Sequence, residues 1–284
     1  MIPEDRPMPF TAPARQTGWI ERPDCRIAYQ RVGEGPPLVF AHGLGGCYLS
    51  WFQQVAYFAP RFTCISFSHR GFFPSTAPAG GPDPAAYAGD LAALVDALRL
   101  GDIRLVCQSM GGWTGVEYAL SRPGRVKALV LAATTGSLDP RQMREPERGR
   151  LGAWAESSAA ARADLVRRNI LPATGAALAQ SDPALHLLYS GFDTLTTGMD
   201  KEAVRTRLGE VRTRPPAALA AAGCPVLFIP GGRDIVIPPF AARAMAAEIP
   251  GARVAPIPAA GHSGYFEHAA VFNALVEAFL DEAG

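Results

Sequence analysis

A serine hydroxyl is a poor nucleophile at neutral pH, and to attack an acyl carbon it needs a base within hydrogen-bond reach and a third group that orients the base. One serine stands in a setting that suits this chemistry. Ile103-Arg104-Leu105-Val106-Cys107 is a mostly apolar run that ends at Gln108-Ser109. Met110-Gly111-Gly112 then opens an amphipathic run with Trp113, Val116 and Leu120 on one face. That order predicts a strand, a tight turn and a helix. The turn lifts the Ser109 hydroxyl at the strand end, where the helix N-terminus favours negative charge.

Candidates for the other two roles lie far along the chain. His262, in Ala260-Gly261-His262-Ser263, falls between the last predicted strand and the last predicted helix, in a loop that emerges at the same sheet edge as Ser109. A histidine near a helix start also serves as a cap, and His268, one turn on, is its nearest competitor. Asp234, in Pro230-Gly231-Gly232-Arg233-Asp234-Ile235-Val236-Ile237-Pro238, follows a buried strand and precedes a helix. An aspartate there also suits a turn.

The elements that must position these residues alternate along the chain. Trp19–Glu21 and Cys25–Val32 read as strands, and Leu38–Ala41, Cys64–Phe67, Val126–Ala132 and Val226–Ile229 as buried ones. A last strand is predicted near Arg253–Ile257. Helical faces are marked by Trp51, Phe52, Val55 and Phe58, by Tyr87, Leu91, Leu94, Val95 and Leu98, over Pro239–Ile249, and by Phe272, Leu275, Val276 and Phe279. The expected fold class is α/β: a mostly parallel twisted sheet with helices on both faces. Residues 137–215 lack any strand-like run and predict a helical cap over the strand ends. Residues 1–18 read as a Pro-rich extension, leaving 19–136 and 216–284 as the core.

The Ser109 segment resembles the nucleophile elbow of the α/β-hydrolase family, G-x-S-x-G, with Cys107 at the first glycine position, where strand and helix backbones crowd. The His262 loop resembles that family's histidine loop, and Asp234, with a proline shortly after it, matches the acid that follows the penultimate strand. Some relatives carry the acid after the preceding strand, which makes Asp139 the alternative. The order Ser109, Asp234, His262 is the order of this fold. His42-Gly43-Leu44-Gly45-Gly46 resembles the family's H-G-x-G-G segment, which implies backbone N–H groups of Leu44 and Met110 as the oxyanion hole. Ser68-His69-Arg70-Gly71-Phe72-Phe73-Pro74-Ser75 departs from the family's D-x-R-G-x-G-x-S: Ser68 replaces Asp and Phe73 replaces Gly. Phe72 and Phe73 either wall the acyl pocket or pack beneath the cap. In the cap, Trp154, His186, Leu187, Tyr189 and Phe192 either line the substrate cavity or form the cap's own core; Phe73, Trp154, Tyr189 and Phe192 are the expected substrate contacts.

The resemblance implies a serine hydrolase that cleaves a carboxylic ester or lactone through an acyl-enzyme, without cofactor or metal. Two other readings remain: a C–C bond hydrolase of the meta-cleavage type, whose S-x-G-G elbow is similar to Ser109-Met110-Gly111-Gly112, and a ligand-binding protein that keeps the three residues. A net charge of +1 gives no reason to expect nucleic acid or an anionic membrane surface as partner. The expected partner is a small-molecule acyl substrate; oligomeric state is not readable. Five cysteines, odd in number and widely spaced, imply neither a disulfide framework nor a zinc site. No stretch reads as a secretion signal or a membrane span, so a cytoplasmic location is expected. The cap arginines Arg141, Arg144, Arg167 and Arg168 are nearly matched by acids and read as a solvated face.

Overall fold

The computed structural model describes residues 12–284; residues 1–11 of the Pro-rich start lie outside it. Eight strands form one sheet: β1 (Arg15–Glu21), β2 (Arg26–Val32), β3 (Pro37–Ala41), β4 (Thr63–Phe67), β5 (Ile103–Gln108), β6 (Val126–Ala132), β7 (Val226–Ile229) and β8 (Arg253–Val254). Their spatial order is β1-β2-β4-β3-β5-β6-β7-β8. The β1–β2 and β2–β4 pairs are antiparallel and the rest are parallel.

The helices follow as α1 (Phe52–Phe58), α2 (Tyr87–Ala97), α3 (Gly111–Ser121), α4 (Leu151–Arg167), α5 (Gly175–Ser181), α6 (Pro183–Leu195), α7 (Lys201–Glu210), α8 (Pro239–Ala246), a short α9 (Gly264–Glu267) and α10 (Ala269–Ala283). Successive strand side chains point to opposite faces, and the core divides accordingly. Val39, Ala41, Leu105, Cys107, Leu129, Leu131 and Phe228 pack with α2, α3 and α8 on one side. Leu38, Phe40, Val106, Val130, Leu227 and Ile229 pack with α1 and α10 on the other. Burial on both faces is why these strands read as continuous apolar runs.

Two strand bounds differ from the sequence expectation. β1 begins at Arg15, inside the 1–18 stretch read as an extension. It is an edge strand that pairs only β2, with most of its residues exposed, so it carries almost no apolar signal. β8 shrinks to two residues, with Ile257 joining the sheet only through an isolated bridge to Gly231. The helix read over Pro239–Ile249 ends at Ala246.

Chain connections diverge at β3: β4 lies on one side of it and β5 on the other. In open α/β sheets the crevice beyond the strand ends at such a reversal is where ligands bind. The loops after β3 and β5 carry His42–Gly46 and Ser109 into that crevice. Helices α4 to α7 lie between β6 and β7, in the segment expected to be the helical cap. At its root Leu138 bridges Arg214, and the Asp139 N–H donates to the Arg214 carbonyl at 2.8 Å.

Candidate active site

Ser109 leaves β5 with φ of +49°, a left-handed conformation uncommon for a residue with a side chain. Its N–H donates to the Ala132 carbonyl at 3.1 Å, and its carbonyl takes the Gly112 N–H at 2.9 Å, so the turn is tied to β6 behind and α3 ahead. Strain of this kind is sustained only where the surroundings over-determine it. The result is a hydroxyl thrust up at the strand end. Cys107, 0% exposed, faces α3 as a small packing residue, and burial pushes its thiol well up.

The two distant residues meet that hydroxyl. His262 Nε2 lies 2.8 Å from Ser109 Oγ, and His262 Nδ1 lies 2.8 Å from Asp234 Oδ2. The other carboxylate oxygen of Asp234 accepts the N–H groups of Val236 at 2.7 Å and Ile237 at 3.0 Å, which fixes its plane. His262 and Asp234 are both buried, and Ser109 is half-buried. With Nδ1–H donating to Asp234, Nε2 is left as the acceptor for the serine proton. Asp139, the alternative acid, is instead occupied by Arg141, whose Nε approaches its oxygens at 2.9 and 3.1 Å.

The loop after β3 is shaped by a buried imidazole pair. His42 Nδ1–H donates to the Gly43 carbonyl at 2.7 Å, and the Gly46 N–H donates to the same oxygen at 3.0 Å. Across a trans peptide the Leu44 N–H points opposite to that carbonyl. Neither the Leu44 N–H nor the Met110 N–H has a protein acceptor among the described residues. His42 Nε2 accepts the His69 N–H at 3.0 Å and faces His69 Nδ1 at 3.1 Å; His69 Nε2 lies 2.7 Å from Thr114 Oγ1. Burial pushes His42 down to about 4, and burial with the neighbouring His42 pushes His69 well below its ordinary value. Both rings are therefore neutral at pH 7, consistent with each acting once as donor and once as acceptor. A Cβ on Gly43 would fall 2.1 Å from Gln108 Oε1 and 3.1 Å from Ser109 Cβ, so only glycine lets this loop sit against Ser109.

Three supporting residues were missed in the sequence, and two of them, Gln108 and Glu267, brace the His262 loop. Gln108, 1% exposed, donates from Nε2 to the His262 carbonyl at 3.1 Å while its Oε1 abuts Gly43, so it ties the histidine loop to the β3 loop. Glu267 accepts the N–H groups of Gly261 at 2.8 Å and Ser263 at 2.9 Å, the two residues that flank His262. Burial pushes its carboxyl up to about 7 against the pull of those N–H donors. Arg212 stacks over the Trp113 ring at 4.5 Å. For Gln108 the signal was its place just before Ser109; Glu267 and Arg212 had none without the fold.

The expected substrate contacts are placed differently from one another. Tyr189, from α6, is 2% exposed; Ser263 Oγ donates to its hydroxyl at 3.0 Å and its ring meets Phe266 edge-on. Phe192 packs partly buried between Phe52 and Phe266. These two join the cap to the histidine loop. Phe73 is 41% exposed at the rim, its N–H donating to Thr196 Oγ1 of the cap at 3.0 Å, while Phe72 is fully buried against His42. Trp154 is half-buried on α4, and among the described residues no hydrogen bond or ring contact ties it to Ser109 or His262. Leu187 is 72% exposed and lines an open apolar depression on α6 with Leu188, Phe192 and Leu195. Arg70 holds its loop through Asp90, at 2.7 Å from both Nε and Nη2, and through Asp24 at 2.9 Å.

Residues 36–269 match the family model described as alpha/beta hydrolase fold. The chain belongs to the α/β-hydrolase fold family. The Mycobacterium tuberculosis protein named "Putative non-heme bromoperoxidase BpoC" is 32% identical over 263 residues, 89% of this chain and 97% of that protein. Among solved structures, a thermophilic esterase from Thermogutta terrifontis superposes with a TM-score of 0.74 at 24% identity, covering 94% of this chain and 99% of that one. The enol-lactonase from Burkholderia xenovorans LB400 superposes with 0.70 at 23% identity, covering 93% and 100%. As an α/β-hydrolase the chain is an enzyme of the hydrolase class. No helix among the described residues is long and apolar enough to cross a membrane.

Proposed function

We propose that this α/β-hydrolase cleaves a carboxylic ester or lactone through an acyl-enzyme on Ser109. The observation that carries the reading is the unbroken contact from Ser109 Oγ through His262 to Asp234, 2.8 Å at each step. Ser109 Oγ attacks the acyl carbon as His262 Nε2 takes its proton, and Asp234 holds the imidazolium through Nδ1–H. The N–H groups of Leu44 and Met110 receive the oxygen as it becomes negative, each contributing about 3 kcal/mol of barrier lowering. His262 then returns the proton to the leaving oxygen. Water, deprotonated by the same imidazole, releases the acid and restores Ser109.

The unpaired Leu44 and Met110 amides favour this over a binding protein, because two free donors beside a nucleophile suit a developing oxyanion. A fluorophosphonate probe and a panel of p-nitrophenyl esters test it together. Wild type is expected to be labelled and to turn over esters; Ser109→Ala is expected to lose labelling and to fall by roughly 10⁴-fold or more in kcat. Equal labelling of the two proteins removes Ser109 from the chemistry. Turnover of a vinylogous diketone with none of any ester transfers the same three residues to C–C cleavage.

A further inference from the structure

Helix α6 (Pro183–Leu195) is apolar on two faces, and only one of them is used within the described residues. Its inner face turns Leu185 and Tyr189 to the core, and the Tyr189 hydroxyl accepts from Ser263 Oγ at 3.0 Å. Its outer face carries Ala184, Leu188, Gly191 and Leu195, all exposed, which line one open apolar depression flanked by Leu187 and Phe192. A Cβ built on Gly191 would meet no heavy atom of the described residues within 4 Å.

The outer residues are spaced four, three and four apart, the spacing of a coiled-coil seam. Two of them are large and two are small, and their order is self-complementary. When the helix is laid antiparallel on a copy of itself, about a two-fold axis between positions 188 and 191, Leu188 of each copy meets Gly191 of the other. Leu195 then meets Ala184. Every layer holds one leucine and one small residue, as interdigitating helices require. A parallel pairing sets leucine on leucine and glycine on glycine, which leaves the layers uneven.

Charge and area point to the same occupant. Residues 169–200 contain no lysine or arginine and include Asp182, Asp193 and Asp200, which disfavours an anionic lipid surface or a nucleic acid. The seam, with Leu187 and the exposed Phe52 ring beside Phe192, presents roughly 400 Å² of apolar surface, a size at which patches on monomers are often functional. A stable dimer buries about 800 Å² on each partner, a little over half of it non-polar. The patch supplies nearly all of that non-polar share.

We propose that α6 is a homodimer interface, in which the Ala184–Leu195 seams of two copies pack antiparallel about a two-fold axis. The interface does not depend on which bond the enzyme cleaves. The contact of Tyr189 with Ser263 on the inner face holds the helix in place for it.

Sedimentation velocity between about 1 and 100 µM protein tests the interface. Wild type is expected to be a dimer with a dissociation constant of roughly 10 µM or tighter. Leu188→Lys sets an ammonium against the partner's glycine, and Gly191→Glu sets a carboxylate against the partner's leucine. Each should weaken the dimer at least tenfold, with an unchanged circular dichroism spectrum because both positions are exposed. Mixed together, the two variants place one lysine on one glutamate while the other central layer keeps leucine on glycine. The mixture should therefore associate at least tenfold more tightly than either variant alone. Monomeric wild type at about 100 µM overturns the proposal, and its capture by phosphatidylcholine vesicles would give the seam to lipid instead. A dimer indifferent to both substitutions places the interface elsewhere. A mixture no tighter than the single variants refutes the antiparallel register.

Discussion

Cys107 occupies the position where the elbow pattern has glycine, and the structure names the residue that makes room for it. A Cβ built on Gly115 of α3 would fall 2.5 Å from Cys107 Sγ and 3.1 Å from Leu129 Cδ1. Cys107 and Gly115 are thus one packing unit between strand and helix, and Gly115→Ala should reveal it. Alanine in a helix interior is intrinsically better than glycine by about 1 kcal/mol. Forcing a methyl into a filled core costs about 1–3 kcal/mol, so the net change in wild type is a loss of about 0–2 kcal/mol. In Cys107→Ala the sulfur is gone, and the nearest remaining atom of that side chain, Cβ, is at 3.5 Å, an ordinary contact. There the Gly115→Ala methyl refills the hole, its helix preference is realised, and it should stabilise by up to about 1 kcal/mol. The coupling energy of the double-mutant cycle is therefore about 2 kcal/mol, favouring the double variant over the sum of the singles. Denaturant unfolding of the four proteins, with unchanged m-values, measures it. Additivity within about 0.5 kcal/mol would refute the claim that cysteine is tolerated here because of Gly115.

Glu267 gives folding stability a pH dependence of known sign. Its carboxyl lies near 7 in the folded chain against an ordinary 4.5, so between those values the folded state holds a proton that the unfolded state releases. The contribution is fully present below pH 4.5 and is lost as pH rises through 7, by at most about 3 kcal/mol. Glu267→Gln should flatten that slope, and urea midpoints at pH 5 and pH 8 that shift in parallel for both proteins would exclude it. Tyr189→Phe leaves the buried Ser263 hydroxyl without its acceptor and should cost about 1–2 kcal/mol; it should also slow fluorophosphonate labelling severalfold, and an unchanged labelling rate would show that α6 does not seat the histidine loop. Gly43→Ala drives a methyl to within 2.1 Å of Gln108 Oε1, displacing the amide that holds the His262 carbonyl. Its kcat should fall by roughly 10²–10³, as for loss of one oxyanion donor, and a change confined to KM would contradict this.

What was readable in the chain follows from where each interaction is closed. The central strands carry apolar residues on both faces because helices cover both, so Leu38–Ala41 and Cys64–Phe67 announce themselves locally. Ser109, Asp234 and His262 are legible because each stands at a strand end in a loop of distinctive composition, and the parallel sheet brings those ends to one rim. β1 escapes the same reading at its start because an exposed edge strand needs no apolar alternation.

The supporting residues are hidden for a different reason. Glu267 is one acid at the end of a four-residue helix until the loop folds back and sets Gly261 and Ser263 N–H groups around it. Arg212 is one of many cap arginines until the segment 212–214 lies along α3 and withdraws its Nε–H from water. Local sequence distinguishes a strand from a helix, but whether a charge is solvated depends on what packs against it from elsewhere in the chain. In this protein that division separates the three side chains of the proposed mechanism, each marked by its own loop, from Gln108, Tyr189, Glu267 and Arg212, whose contacts are all between distant segments. Substitutions at the first set should abolish turnover in any substrate, whereas those at the second should alter its rate or its pH dependence. A variant of Arg212 as inactive as Ser109→Ala toward esters would break that distinction.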